Sequence, residues 1–103
     1  MPGLGGRYDG ASGWGRVNLS DSGAGVSGCY DFQQGAFSGA VDGRVLKIAM
    51  LQRENGERLN GLFQFAPGGR KLVGLVRTEG SAYRDAYAYY YSAEKVESKP
   101  GGC

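Results

Sequence analysis

The chain has 103 residues, of which 41% are hydrophobic and 21% charged, and its formal net charge is +2 at pH 7. This length supports one domain with a modest core, and the balanced charge argues against the strongly basic class of nucleic-acid-binding proteins. Glycine is abundant, at 20 residues, but it follows no Gly-X-Y period, which excludes a collagen helix; the many aromatic residues argue against disorder.

The two ends of the chain differ in composition from its middle. We predict a flexible Gly-rich N-terminus over 1–12, a single β-meander or barrel domain over 13–95, and a flexible tail over 96–103. The tail ends in Lys-Pro-Gly-Gly-Cys, which has the form of an added conjugation handle. No apolar run has the length of a signal peptide or a membrane span. A domain cut from a longer envelope or secreted protein would have the same features, so the compartment stays open.

Alternation of apolar and polar residues with period two predicts six β-strands, and no helical period is present over this part of the chain. The predicted strands are 14–20, 25–32, 36–41, 44–53, 58–66 and 71–77. Turn residues separate them, including Asp42-Gly43 and Asn55-Gly56. Dipeptides of this kind are the strongest short signals for a β-hairpin, because a type I′ turn needs positive φ at both central positions.

The turns also predict the register of the strands. Two-residue loops at 42–43 and 55–56 and a four-residue loop at 67–70 place the apolar side chains on one face. In this register Ile48 faces Phe63, and Leu46 faces both Phe65 and Gly39. The predicted core face comprises Val26, Gly28, Tyr30, Phe32, Phe37, Gly39, Val41, Leu46, Ile48, Met50, Leu59, Gly61, Phe63, Phe65, Leu72, Gly74 and Val76. Each mid-strand glycine is expected to leave room for a large side chain of the neighbouring strand and to let the sheet bend. The alternative is that the glycines leave space for a ligand.

The opposite face is mostly polar or small, but the same register aligns Ala49, Leu62 and Leu75 across three strands. Leu51, Val73 and Val45 flank this row. A row of apolar residues on a wet face is usually covered by something. We therefore expect an interface here, with either a second subunit or the chain's own C-terminal segment as the cover.

The segment 81–95 is rich in tyrosine and alanine and has two possible conformations. As a strand, it places Tyr87, Tyr89 and Tyr91 on one face; as a helix capped at Ser81, it forms a tyrosine stripe that could cover the apolar row. The strand is preferred because a closing meander needs one more strand. The predicted interface residues are Ala49, Leu51, Leu62, Val73, Leu75, Tyr87, Tyr89 and Tyr91.

The predicted fold class is all-β, an antiparallel meander of six to eight strands that curls into a small up-and-down barrel. A tryptophan at the start of the first predicted strand, in Gly13-Trp14, precedes a Gly-x-Tyr strand at 28–30. Over residues 13–77 this pattern resembles the avidin and lipocalin-like (calycin-type) barrels. The resemblance implies a barrel with a general binding role, and it carries over no specific ligand.

Residues suited to catalysis or metal binding are scarce. The chain has no histidine, and its two cysteines, Cys29 and Cys103, cannot hold a metal alone. They also cannot make a disulfide framework, and Cys29 is interpreted as a small side chain on a strand. Carboxylates such as Glu54 and Glu57 are expected to be solvated. We predict no catalytic residue, no metal and no cofactor.

Three functions remain open. The first is a non-enzymatic module that binds a protein or a second copy of itself, without a membrane span or a nucleic-acid partner. The second is a barrel that binds a small apolar ligand in a pocket lined by Trp14, Tyr30, Met50, Phe63 and Phe65. A cavity larger than about 300 Å³ would favour it. The third is an isomerase or lyase that uses tyrosine and carboxylate groups, which requires such a group with a displaced pKa at a cavity.

Overall fold

The computed structural model describes residues 3–10, 13–23, 25–78 and 89–103. In this part of the chain, eight antiparallel strands form a meander that closes into a barrel, because β1 pairs with both β2 and β8. The strands are β1 Gly6–Gly10, β2 Gly15–Ser22, β3 Gly25–Tyr30, β4 Gly35–Asp42, β5 Val45–Gln52, β6 Glu57–Phe65, β7 Lys71–Thr78 and β8 Tyr89–Glu97. The predicted all-β meander barrel is confirmed. Among the described residues, no helix is long and apolar enough to cross a membrane.

Two hairpin turns differ from those predicted. In the β4–β5 hairpin Asp42 pairs with Val45, so the two-residue loop is 43–44 rather than 42–43. In the β5–β6 hairpin Gln52 pairs with Glu57, which leaves a four-residue loop over 53–56. Gly56 has a φ of 75°, and its N–H donates to the Gln52 carbonyl at 2.7 Å. Each turn therefore shifts the strand partners by two residues.

The shift by two residues changes the partners of the core residues without changing their faces. Leu46 lies opposite Phe63 rather than Phe65, and Ile48 lies opposite Gly39 and Gly61. The β6–β7 hairpin has the predicted register, with Phe65 opposite Leu72. Since side chains alternate with period two, a slip of two residues leaves each side chain on its own face.

Of the predicted core face, eleven residues are buried, five are half-buried (Gly28, Gly39, Val41, Phe65 and Gly74) and Phe32 is exposed. Phe63, Leu46 and Leu72 are each about 1% exposed and belong to a continuous apolar cluster that fills the barrel. Phe32, in contrast, is 44% exposed, so its assignment to the core is wrong. The reason is that β3 ends at Tyr30, and the chain then passes through a tight turn over 32–34 that breaks the alternation.

The mid-strand glycines allow adjacent strands to approach closely. A Cβ atom at Gly39 would collide with the Lys47 carbonyl of β5, and one at Gly74 would collide with the Leu62 carbonyl of β6. Backbone from the neighbouring strand therefore occupies the space that a side chain would need. This agrees with the close-packing interpretation of these glycines rather than with an open floor for a ligand.

The N-terminal segment is part of the barrel, although a flexible end was expected over 1–12. Gly6–Gly10 forms β1, and the side chains of Leu4 and Tyr8 are fully buried. The Tyr8 hydroxyl donates a hydrogen bond to the Leu4 carbonyl at 2.6 Å. β1 supplies the strand that closes the sheet, so that neither β2 nor β8 has a free edge.

The C-terminal segment is a strand over Tyr89–Glu97, as the preferred alternative predicted; residues 81–88 lie outside the described part of the chain. The expected flexible tail instead lies against the outside of β2 and β3. Cys103 forms a disulfide with Cys29, and the Gly101 N–H donates to Asn18 Oδ1 at 2.7 Å. β8 ends beside Arg7 of β1, and six further residues can span about 20 Å, which allows the tail to reach β3.

The disulfide gives the first testable prediction. Cys29 and Cys103 are separated by 74 residues, so their bond restricts the unfolded chain strongly. We expect Cys103→Ser to lower the free energy of unfolding by about 2–4 kcal/mol and the melting temperature by on the order of 10 °C. Thermal and urea unfolding followed by circular dichroism measure this. Dithiothreitol should destabilise the parent chain equally and leave Cys103→Ser unchanged; an unaffected parent chain would mean that the bond does not form in solution.

The assignment of faces on β6 gives a second prediction. Phe63 is buried in the barrel, whereas its neighbour Leu62 is 37% exposed on the outside. Phe63→Lys should cost more than about 3 kcal/mol and unfold much of the protein, because a core ring is lost and a charge is buried. Leu62→Lys should change stability by about 0.5 kcal/mol at most. Equal losses in urea unfolding would contradict the assignment.

Candidate functional site

A strip of apolar side chains runs along the outside of the barrel across β5 to β8. We call this the outer strip; it consists of Val45, Leu62, Val73, Leu75 and Tyr90. Leu62 lies directly opposite Leu75, which lies directly opposite Tyr90. The three side chains are 37%, 41% and 61% exposed, and they border a shallow groove of about 370 Å³. The groove is bordered mainly by apolar atoms, so it suits an apolar surface rather than a polar solute.

The outer strip contains only part of the predicted interface. Leu62, Val73 and Leu75 belong to it, but Ala49 and Leu51 do not. The slip of two residues between β5 and β6 places Lys47, not Ala49, opposite Leu62. Ala49 is opposite Ser38 and Asn60, and it borders a separate shallow depression together with Leu51. The expected row of three is therefore interrupted by a lysine.

The tyrosines of β8 differ from the prediction as well. Tyr91 was expected on the interface, but its side chain turns inward and is half-buried against Trp14. Its neighbour Tyr90 points outward and was not among the predicted residues. The β8 backbone pairs with β7 from Tyr89 onward, and Tyr87 lies outside the described residues. Of the three predicted tyrosines, the structure describes the side chain of Tyr91 alone, and it lies inside the barrel rather than on the outer surface.

A cluster of aromatic rings lies inside the barrel near the end at which β3 and β5 end and β4 and β6 begin. We call this the open end. Trp14 is stacked on Phe63 with ring centroids 5.5 Å apart, and it contacts Tyr30 at 5.8 Å and Tyr91 at 5.2 Å. The Trp14 Nε1–H donates to the Ser92 carbonyl at 2.8 Å. Trp14 is thereby held by both a hydrogen bond and its aromatic neighbours.

The five residues predicted to line a ligand pocket do not all lie at the same end of the barrel. Trp14, Tyr30 and Phe63 come together in the aromatic cluster, and Met50 is buried in the same core. Phe65 lies at the other end of the barrel, because β6 runs from Glu57 at the open end to Phe65. The side chains that were expected to line a lumen instead fill it.

A depression at the rim of the open end has a volume of about 260 Å³, below the size of about 300 Å³ that we set for a ligand pocket. We call it the mouth depression. Its walls are Phe32, Gln52, Asn55, Glu57, Leu59 and Tyr91. Most of these were not candidate site residues. One signal could have identified Gln52: it is a polar residue at an inward position of a strand that is otherwise apolar on that face.

The Tyr30 hydroxyl lies close to Gln52, Tyr91 and Glu57 of these walls, and its O–H has no acceptor in good hydrogen-bond geometry among the described residues. Burial raises the pKa of Tyr30 to about 12; the Gln52 side chain, as a hydrogen-bond donor to the phenol oxygen, partly offsets the increase, and Tyr91 and Glu57 add to it. At neutral pH the phenol is therefore protonated. It can donate a hydrogen bond, and it does not act as a base at this pH.

Hydrogen bonds within the β5–β6 turn, and one between this turn and the β3–β4 turn, hold the rim of the mouth depression in place. Within the β5–β6 turn, Asn55 Nδ2 donates to Gln52 Oε1 at 3.1 Å, and the Glu57 N–H donates to Asn55 Oδ1 at 3.0 Å. The Glu54 N–H donates to the Gln33 carbonyl at 3.0 Å, which joins this turn to the β3–β4 turn. The polar walls are thus positioned by the backbone and by each other.

In comparisons with known proteins, the chain matches no protein-family model, and no curated protein or solved structure is significantly similar to it. Within the described ranges, no group of three or more histidine, cysteine or acidic side chains is arranged to hold a metal ion. Functional inference therefore depends on the two surfaces themselves, the outer strip and the mouth depression.

Tyr30 and Tyr8 provide a matched pair for a third prediction. Both are buried, but only the Tyr8 O–H has an acceptor among the described residues, the Leu4 carbonyl. Tyr8→Phe should cost about 1–3 kcal/mol, because it leaves that buried carbonyl unpaired. Tyr30→Phe should cost nothing and gain up to about 1 kcal/mol, because it removes a buried O–H that lacks an acceptor. Urea unfolding at neutral pH measures both; equal losses would mean that the Tyr30 O–H has an acceptor in solution.

Proposed function

We propose that this chain is a non-enzymatic binding module that associates with a second copy of itself through the outer strip. The observation that carries the proposal is the direct alignment of Leu62, Leu75 and Tyr90 across three strands on the outside of a closed barrel. Because the barrel closes through β1 and β8 and fills its interior with other side chains, it does not need these residues for its own core. Exposed apolar patches of this kind mark association surfaces.

The shape of the outer strip favours a second copy as the partner. Tyr90 projects beside the groove that Leu62 and Val73 border, so the strip offers both a projecting ring and an apolar recess. In a two-fold dimer, each copy places its own Tyr90 against the partner's recess, and the contact occurs twice. Tyrosine suits this role because it buries a large area while its hydroxyl stays in water.

The charges around the outer strip are compatible with this arrangement. Lys47 and Lys71 lie at its edges, and Glu94 lies 3.9 Å from Lys71. A rim that carries both signs can form complementary pairs across a two-fold axis, whereas a rim of one sign would repel its copy. The described C-terminal residues do not cover the strip, because the tail crosses β2 and β3 instead.

The other hypotheses have weaker support. A different protein could occupy the outer strip, and an apolar ligand in the lumen would have to displace packed side chains such as Trp14 and Phe63. A relationship to the avidin and lipocalin-like barrels stays a prediction; the eight-stranded closed meander is compatible with it. A general binding role, which that resemblance implies, agrees with the proposal.

The fourth prediction tests self-association. Light scattering across a concentration series should give twice the monomer mass for the parent chain, and a non-reducing gel should show that no disulfide joins the copies. Leu75→Lys should give the monomer mass, because it places a cation within the apolar contact of both copies. Both proteins should have the same circular dichroism spectrum.

Ala49→Lys is the matched control, because Ala49 is also exposed and outward-facing but lies outside the outer strip. This variant should stay dimeric. A monomeric parent chain at high concentration, or a dimer that resists Leu75→Lys, would rule out the proposal. Loss of the dimer in both variants would mean that added charge, rather than the strip, controls association.

A further inference from the structure

We propose that the mouth depression binds a small organic cation, a quaternary ammonium group that carries a neighbouring hydroxyl or carbonyl oxygen. The proposal concerns a different part of the barrel from the outer strip and does not depend on self-association. It rests on the aromatic walls and the one carboxylate of the depression, and on a buried phenol next to these walls whose O–H has no acceptor in good geometry among the described residues.

The walls of the mouth depression favour a cation with an apolar surface. Phe32 and Tyr91 present aromatic side chains, and Leu59 adds an aliphatic one. Of the six lining residues, Glu57 alone is charged. Aromatic faces attract cations through their quadrupole, and a quaternary ammonium combines positive charge with methyl groups that pack against rings. A simple metal ion lacks this apolar surface, and an anion would be repelled by Glu57.

Neighbouring basic side chains are directed elsewhere. Arg53 Nε donates to the Gln34 carbonyl at 2.7 Å, outside the set of lining residues. Arg58 follows Glu57 on β6, so its side chain takes the opposite face, where it borders the depression of Ala49 and Leu51. The carboxylate of Glu57 is thus the charge that a solute in the mouth depression meets.

The Tyr30 hydroxyl is the reason for proposing that the ligand carries an oxygen. The phenol is 3% exposed, and its O–H has no acceptor in good geometry among the described residues; the Gln52 side chain acts only as a donor towards the phenol oxygen. Glu57 and Tyr91, which line the depression, are close enough to influence its ionisation. A ligand oxygen that reaches below the rim would accept the hydrogen bond that Tyr30 lacks.

The size of the site limits the ligand. A volume of about 260 Å³ corresponds to about nine water molecules at ~30 Å³ each. Choline, which has a trimethylammonium group two carbons from a hydroxyl, is of this class and serves as the probe. The rim is held by hydrogen bonds among Gln52, Asn55 and Glu57, so little ordering is needed when a ligand enters.

The test is a titration of the oxidised full chain with choline, followed by ¹H–¹⁵N spectra. We expect saturable shifts at millimolar concentrations, centred on 52–57 and the Trp14 indole. The neutral carbon analogue 3,3-dimethylbutan-1-ol has the same shape without the charge, and it should bind about tenfold more weakly. Glu57→Gln should weaken choline by a similar factor.

Three further variants test whether choline binds specifically at the mouth depression. Glu54→Gln removes a carboxylate from the same exposed turn but not from the lining, and it should change choline affinity by less than about twofold. Tyr30→Phe should weaken choline and leave tetramethylammonium, which has no hydroxyl, unchanged. Leu75→Lys, which disrupts only the outer strip, should bind choline normally.

The opposite outcomes overturn the proposal. The absence of saturable shifts at tens of millimolar choline would exclude the site, and equal binding of the neutral analogue would show an apolar niche without cation recognition. Equal weakening by Glu54→Gln and Glu57→Gln would show a general charge effect. If Tyr30→Phe weakened both cations equally, the hydroxyl would not contact the ligand oxygen.

Discussion

The pairing of β1 with β8 is the constraint on which the rest of the structure depends. It joins Tyr8 to Lys95 and Gly10 to Ala93, the first and last strands of the meander, and turns a sheet with two free edges into a barrel with none. Closure creates an inside and an outside. Inward side chains such as Trp14 and Phe63 then have no route to solvent except at the ends of the barrel.

Closure at this size also determines where the molecule can interact with others. The interior is filled by its own side chains, from Leu4 and Tyr8 at one end to Trp14 at the other. The contacts that we propose therefore lie on the outer surface and at the rim. The two surfaces differ accordingly: the outer strip is apolar and borders a shallow groove, as suits another folded chain, whereas the mouth depression is smaller and combines rings with a carboxylate.

Much of this architecture could be predicted from the sequence, because alternation is a local property. The faces of Leu62, Phe63 and Leu75 follow from period two alone. They were predicted correctly although the predicted length of the loop at Asn55-Gly56 was wrong. The pairing of residues between β5 and β6, in contrast, depends on the length of this loop and was predicted wrongly. The row of Ala49 with Leu62 depended on that loop, and the Asn55 side chain extends the turn by bonding to Gln52 and to the Glu57 N–H.

Other features depend on long-range geometry that the local pattern does not contain. β1 is short and glycine-rich, so its role as the closing strand becomes visible only when β8 lies beside it. The same is true of the Cys29–Cys103 bond, which requires the tail to return across β2. The mouth depression draws Phe32 and Glu57 from two separate turns, and neither residue is distinctive alone.

The path of the tail has a consequence for the order of folding. Pairing of β8 with β1, the strand contact of greatest sequence separation in the barrel, brings the tail to the position from which Cys103 reaches Cys29. Local hairpins form quickly, whereas contacts between distant segments are slow because their loop-closure entropy is lost first. We therefore expect this cysteine pair to be oxidised late in folding, once the barrel has closed. The bond then holds the tail, which follows the closing strand β8, next to β3.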